Sequence, residues 1–185
     1  SNYNFAQTGE SDLSWLNGAA VRKTIFRNDK LYVLTEEPKI HVVNANTFAP
    51  IKELDLTGIA GGVKILSDIN FTSDGYLLAI NKDTISLPEV KGRSMKVYTW
   101  DNDDAAPRVL YTSTYQGQWT NGVVGETFAV SGARWKHTLY VPAVTTGSSK
   151  QVRIMGLLYE DQVPLGYKYM LDATNYTEGN WGQKI

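Results

Sequence analysis

The sequence contains no cysteine and only 2 histidines among its 185 residues. Without cysteine, a disulfide framework, a zinc knuckle and a thiol nucleophile are all excluded. This absence does not assign the chain to a reducing compartment, because exported bacterial proteins often lack cysteine too. The 18 basic and 19 acidic residues leave a net charge of -1, with no run of like charge. A nucleic-acid binder held by phosphate contacts is therefore not expected.

Long apolar runs and helical periodicity are also missing. The longest apolar stretches are strand-sized, well short of the ~20 residues that span a bilayer. No stretch repeats apolar residues at helical spacing with capping residues at its ends. Tyrosine, threonine, valine and isoleucine are plentiful, as strands prefer. The sequence therefore predicts a nearly all-β fold without a membrane span.

What the sequence does contain is an internal repeat. Three segments share a pattern of four short extended runs separated by turns. The third runs, "KIHVVNANT", "KVYTWDNDD" and "QVRIMGLLYED", begin at residues 39, 96 and 151, which are steps of 57 (96 − 39) and 55 (151 − 96) residues. In each segment a polar turn ending near a proline (Pro50, Pro107, Pro164) leads into the fourth run, as turn chemistry requires. "SDGYLLAIN" combines an Asp-Gly turn with an apolar strand, a strong hairpin signal.

Four short strands repeated at roughly 50 residues are typical of β-propeller blades. We predict one all-β domain over 1–185, with about three four-stranded blades forming a partial propeller or arc. The predicted blades cover about 18–60, 63–116 and 122–178, and 179–185 would begin a further blade. Closed propellers have about 4–8 blades. We therefore expect missing C-terminal blades in a longer chain or, alternatively, self-association of two arcs into one ring.

Tryptophan recurs where blades begin. "WLNG" and "WTNG" place Trp15 and Trp119 at an offset of 104 residues (119 − 15), and "EGNWGQ" adds Trp181. This recurrence favours packing between blades over ligand contact. The Asn and Gly of each motif suit the tight turn by which the chain enters a blade.

Two tryptophans and one long loop are the better ligand-contact candidates. Trp100 and Trp135 do not recur and lie at turn edges, where a ring can stack on a sugar. The longest insertion, "NKDTISLPEVKGRS", carries Lys91 and Arg93, and "GSSK" occupies the equivalent loop of blade three. Long loops on rigid β scaffolds often bind ligands, although a solvated loop that merely lengthens one hairpin is the slightly favoured interpretation. We expect the site on the face formed by loops between second and third strands.

Catalytic and metal-binding patterns are weak. Asp68 and Glu126 are acids of the predicted inner strands and either line a central funnel or make structural hydrogen bonds. His41 and His137 show no metal-ligand spacing and no nucleophile motif accompanies them, so both are interpreted as structural or surface residues. "DNDDAAP" lacks the Gly and Glu of a calcium loop and is interpreted as an acidic turn. No catalytic residue, metal site or cofactor is predicted.

The repeat has a recognisable signature in "NDKLYVLTEEPKIHVVNANTFAPIKELDLTG" and "ILSDINFTSDGYLLAINKD". These stretches resemble uncharacterised secreted β-propeller-like repeat proteins of gut bacteria. The resemblance covers residues 18 to about 110 well and the third segment loosely. It implies a propeller fold and an extracytoplasmic location, whether secreted, periplasmic or surface-anchored. It carries over no catalytic residue.

The function expected from these observations is an extracytoplasmic binding or scaffold module of propeller type. Its ligand would be a carbohydrate or a protein, recognised by loop side chains on a rigid blade face. The alternative is a propeller enzyme of the hydrolase, lactonase or lyase class that acts on sugars, with a funnel site partly outside this chain. Such an enzyme gathers acids, histidine or arginine where the innermost strands approach the axis.

Overall fold

The computed structural model of the chain describes residues 12–60, 64–82, 94–114, 122–124, 126–145, 148–160 and 163–172. A short 3-10 helix, Ser14–Leu16, precedes the strands. The strands are β1 Val21–Arg27, β2 Lys30–Thr35, β3 Ile40–Asn44, β4 Pro50–Glu53, β5 Lys64–Phe71, β6 Leu77–Lys82, β7 Ser94–Thr99, β8 Arg108–Thr114, β9 Gly122–Val124, β10 Ala129–Ala133, β11 Lys136–Thr145, β12 Ser148–Glu160 and β13 Val163–Asp172. Within these ranges, no helix has the length and apolar character needed to cross a membrane.

The strands form three antiparallel sheets whose neighbours follow chain order. The first sheet is β1-β2-β3-β4, the second β5-β6-β7-β8, and the third β10-β11-β12-β13, with β9 also paired to β11. The all-β prediction and the repeat of four antiparallel strands are confirmed. The chain divides into two compact units, Ser1–Leu54 and Asp55–Ile185, so the first sheet lies in one unit and the other two sheets share the second.

Hairpin turns form where the sequence supplies residues that tolerate positive φ. Asn28 and Asp29 (φ 50 and 58) connect β1 to β2, and the flanking Arg27 and Lys30 pair directly. Two positive φ values in a two-residue loop match the type I′ turn that twisted strands favour. In the predicted "SDG" turn, Gly75 has a φ of 90, which confirms the turn between β5 and β6.

The turns that precede β4 and β8 use the same kind of hydrogen bond, from the backbone to an asparagine side chain. Asn44 Oδ1 accepts hydrogen bonds from the backbone N–H groups of residues 46 and 47, at 2.8 and 2.9 Å. Asn102 Oδ1 accepts one from the backbone of residue 104 at 2.9 Å. Pro50 begins β4 and Pro107 immediately precedes β8. The polar turn and the proline therefore end one strand and start the next, as predicted.

The first strand of the third sheet is broken, contrary to the sequence prediction. β9 pairs with the later part of β11, where Val124 lies opposite Ala143. β10 pairs with the earlier part of β11, from Lys136 to Tyr140. Between them, Phe128 donates its backbone N–H to Asp68 Oδ2 of the second sheet at 2.9 Å. Its carbonyl accepts a hydrogen bond from the Asn70 side chain. Because Phe128 bonds to side chains of the neighbouring sheet, the ladder is interrupted there.

The first sheet has a continuous run of buried residues in its central strands. Val33 and Leu34 of β2 are buried, as are Ile40, Val42 and Val43 of β3. Successive residues of a strand point to opposite faces. Burial of adjacent residues therefore means that both faces of these central strands are covered.

The second and third sheets share one hydrophobic core. Leu78, Ile80, Val97 and Leu110 come from the second sheet and meet residues of the third, Phe128, Leu139 and Val141. Each side chain of this kind contributes roughly 1.5–3 kcal/mol when fully buried. The cluster therefore outweighs any exposed ion pair between the sheets, which contributes roughly 0–1 kcal/mol.

Candidate functional site

The first sheet carries a small cleft, here called the Trp15 cleft, at the end where β2 turns into β3. Its volume is about 50 Å³, room for one or two water-sized groups. The segment before β1, the β2–β3 turn and β3 itself supply its walls. The lining residues are Trp15, Leu16, Asn17, Ala19, Thr35, Glu37, Lys39 and His41.

The segment before β1 is held by a left-handed turn. Asn17 and Gly18 have φ values of 49 and 74, and the Asn17 N–H donates to Ser14 O at 3.0 Å. Downstream, the Glu36 N–H donates to Ala20 O at 2.8 Å, which fastens this segment to the β2–β3 turn. The Asn-Gly of "WLNG" therefore makes the tight turn predicted from the sequence.

Trp15 covers the same face of the first sheet that His41 presents. Its ring centroid is 5.0 Å from that of His41, with the rings tilted by 54°. The indole Nε1 donates to Phe48 O at 3.2 Å. The ring is half-buried: it packs against its own sheet and keeps a surface that solvent can reach. Its predicted packing between blades stays a prediction.

Beneath the indole lies a charge-balanced cluster. His41 Nδ1 is 3.6 Å from Glu53 Oε1, and Lys39 Nζ is 3.2 Å from the same oxygen. Burial lowers the pKa of His41, and the Lys39 charge acts in the same direction, while Glu53 opposes both. His41 is therefore neutral near pH 7, as a hydrogen-bonding imidazole rather than a cation.

Trp100 does not fit its predicted role as a ligand platform. Only 2% of it is exposed, and its Nε1 donates to Asp55 O at 2.8 Å. A ring buried to this degree has no face left for a sugar. Trp100 instead anchors the segment that follows β4 onto the second sheet.

Trp135 is half-buried and lies in a cluster of arginines between the second and third sheets. The guanidinium carbons of Arg134 and Arg108 are 4.7 and 5.2 Å from its ring centroid. Asp101 Oδ1 accepts hydrogen bonds from both, at 2.6 and 2.7 Å. These cation–π and ionic contacts give Trp135 a structural role, and its contact with a ligand stays a prediction.

The two predicted inner acids are engaged with protein groups. Asp68 is 1% exposed and accepts the Phe128 N–H described above. Glu126 lies between β9 and β10 rather than within a strand, and its Oε2 is 2.9 Å from Lys64 Nζ. These partners favour the structural alternative over a catalytic funnel. Lys91 and Arg93 lie outside the described residues, as do Trp119 and Trp181.

Both histidines are buried, in agreement with a structural role. His137 is 3% exposed, and its Nδ1 is 2.8 Å from Arg134 O. Burial lowers the pKa of His137, against the opposing effect of its backbone hydrogen bonds. In the part of the chain that the structure describes, no three His, Asp or Glu side chains group closely enough to hold a metal ion.

No protein-family model matches this chain, and a search of curated proteins finds no significant relative. The fold brings Trp15, Glu37 and Lys39 together at one cleft, a grouping that the sequence did not predict. The available signal was that "WLNG" and the β2–β3 turn belong to the same four-stranded repeat and come together at one end of it.

Proposed function

We propose that this chain is an extracytoplasmic binding module of propeller type that recognises carbohydrate through the Trp15 cleft. Two features support a blade arrangement. Each sheet contains a four-stranded meander in chain order, and β5 of the second sheet contacts β10 of the third. In a propeller, the first strands of successive blades lie next to each other around the axis. The extracytoplasmic location follows from the resemblance of the repeat.

The observation that carries the binding proposal is the half-buried Trp15 ring beside polar groups of the β2–β3 turn. An aromatic face next to hydrogen-bonding groups suits a sugar, which offers C–H bonds on one side and hydroxyls at its edge. The cleft also lies at the loops between second and third strands, the end of the blade where the sequence predicts the site. A protein ligand is the alternative, and the test below separates the two.

The test is a titration of the ¹⁵N-labelled protein with a panel of methyl glycosides and short oligosaccharides, followed through the indole N–H resonances. The chain has five tryptophans, and Trp15→Phe identifies the resonance of Trp15. A saturable shift confined to the Trp15 resonance would support the proposal. Shifts confined to other indoles, or none at saturating glycoside, would reject it.

Trp100→Phe serves as the matched control variant. Because Trp100 is buried away from solvent, its replacement should leave the glycoside affinity unchanged. A loss of affinity in this variant equal to that in Trp15→Phe would mean that the effect comes from altered folding.

A further inference from the structure

We infer that the Trp15 cleft selects a neutral sugar, whose hydroxyls act as hydrogen-bond donors, and discriminates against acidic sugars. This inference rests on the proposed function, because it names the class of carbohydrate for the same site. It follows from three properties of the lining: how its donors are used, which acceptors are left, and the sum of its charges.

The less exposed hydrogen-bond donors of the lining, on Trp15 and Thr35, are used within the protein. The Trp15 Nε1–H is bonded to Phe48 O. The Thr35 hydroxyl donates to Glu37 O, and the Thr35 N–H donates to Lys39 O at 3.1 Å. For a carboxylate, which needs donors, the lining leaves the exposed Asn17 amide and the Lys39 ammonium, whose charge is already balanced by Glu53.

The lining retains an acceptor. The structure gives the Glu37 carboxylate no hydrogen bond or ion pair with any described residue, and Glu37 is exposed at the rim of the cleft. A carboxylate has two oxygens with about four acceptor positions. Hydrogen bonds from hydroxyls to an ionised acceptor are roughly twice as strong as neutral ones. Glu37 is therefore the group best placed to bind a sugar hydroxyl.

The charges around the cleft sum to a negative value. Lys39 is neutralised by Glu53 at 3.2 Å, and Arg22 is paired with Glu36. Glu37 then remains as the unbalanced charge. Because His41 is neutral near pH 7, it does not offset this carboxylate. A second carboxylate brought by the ligand would be repelled, which is how like charges reject a competing ligand.

The size of the cleft sets how much of the sugar enters. A volume of about 50 Å³ admits a hydroxyl or hydroxymethyl group rather than a whole ring, since sites that enclose a drug-sized ligand measure about 300–1,000 Å³. The rest of the sugar would lie against the exposed part of the indole. The Trp15 cleft would therefore recognise one edge of a sugar residue.

The experiment compares matched pairs of ligands by calorimetry and by the Trp15 indole resonance. The probes are methyl glucoside, galactoside and mannoside, each beside its uronic acid counterpart, at low ionic strength. We expect at least one neutral glycoside to bind at Trp15, and its uronate to bind at least about tenfold more weakly. Glu37→Gln should weaken binding of the neutral glycoside about tenfold, and Glu37→Lys should reverse the preference toward the uronate.

Asp29→Asn is the matched control. Asp29 is exposed in the β1–β2 turn, at the opposite end of β2 from the cleft, and does not line the cleft. Its substitution removes one negative charge from the same sheet and should leave the preference for neutral sugar unchanged. Since Glu37 is exposed, its variants should fold as the parent does, which circular dichroism and the unfolding midpoint verify.

The outcomes separate the inference from the proposed function. If uronates bind at Trp15 as well as or better than neutral glycosides, the inference is overturned and the carbohydrate module stands. Neutral binding that Glu37→Gln and Glu37→Lys leave unaltered also overturns it. If no glycoside of either class shifts the Trp15 resonance, the proposed function and the inference fail together.

Discussion

Replacing Arg134 by methionine should destabilise the second unit by about 2–3 kcal/mol, chiefly through lost aromatic contacts. The Arg134 side chain is only 8% exposed. Its guanidinium carbon is 3.6 Å from the Tyr76 ring centroid and 4.7 Å from that of Trp135. Its Nη1 is 2.6 Å from Asp101 Oδ1. Methionine keeps most of the apolar stem and removes the charge and the planar group.

The magnitudes decide which contact matters most. Asp101 is 52% exposed, so water screens its pair with Arg134, and an exposed pair of this kind contributes about 0.2–1 kcal/mol. A desolvated cation–π contact contributes up to about 2 kcal/mol, and Arg134 makes two. Asp101 also keeps Arg108 as a partner after the substitution, so no carboxylate is left unpaired.

The assay is denaturant unfolding with double-mutant cycles. Arg134→Met coupled with Tyr76→Leu should give an interaction energy of about 1 kcal/mol or more, whereas coupling with Asp101→Asn should stay below about 1 kcal/mol. Lys136→Met, an exposed change in the same hairpin, is the control and should stay within about 0.5 kcal/mol of the parent. A cost of Arg134→Met below about 0.5 kcal/mol would contradict the prediction. A coupling to Asp101 larger than that to Tyr76 would contradict it too.

Three further predictions concern backbone strain, pH and a buried indole. Gly132→Ala should cost at least about 2 kcal/mol, because φ is +96 and a Cβ would lie 2.4 Å from Lys136 O; a melting temperature equal to that of the parent would contradict this. Burial lowers the pKa of His41 and of His137 below 6.5, so the stability that they contribute is complete above pH 6.5 and is lost as the pH falls below it. Denaturant midpoints measured from about pH 8 to about pH 5 should therefore decline, and a profile that stays flat would count against buried neutral histidines. Trp100→Phe should lower the unfolding free energy by about 1–2 kcal/mol through one lost buried hydrogen bond, and an unchanged midpoint would show that this bond contributes nothing.

Local physical chemistry made much of the fold readable from the sequence. Strand periodicity and turn chemistry depend on residues within a few positions of one another. The positive φ values of Asn28 and Gly75, and the strand that begins at Pro50, could therefore be predicted without knowledge of the tertiary contacts. The same locality accounts for the four-stranded meanders of the first two sheets, whereas the break between β9 and β10 in the third depends on contacts with the second sheet.

The sequence did not determine which aromatic and acidic groups remain available, because burial is set by residues far away in the chain. Trp100 and Trp15 both lie beside turns. Trp100 is buried and its indole N–H donates to Asp55 O, 45 residues away, whereas Trp15 is half-buried at a cleft. Asp68 is engaged by Phe128, 60 residues further along. Strands, turns and their repetition could thus be read from local sequence. Long-range packing and desolvation selected Trp15 and Glu37, rather than Trp100 and Asp68, as the groups that face solvent.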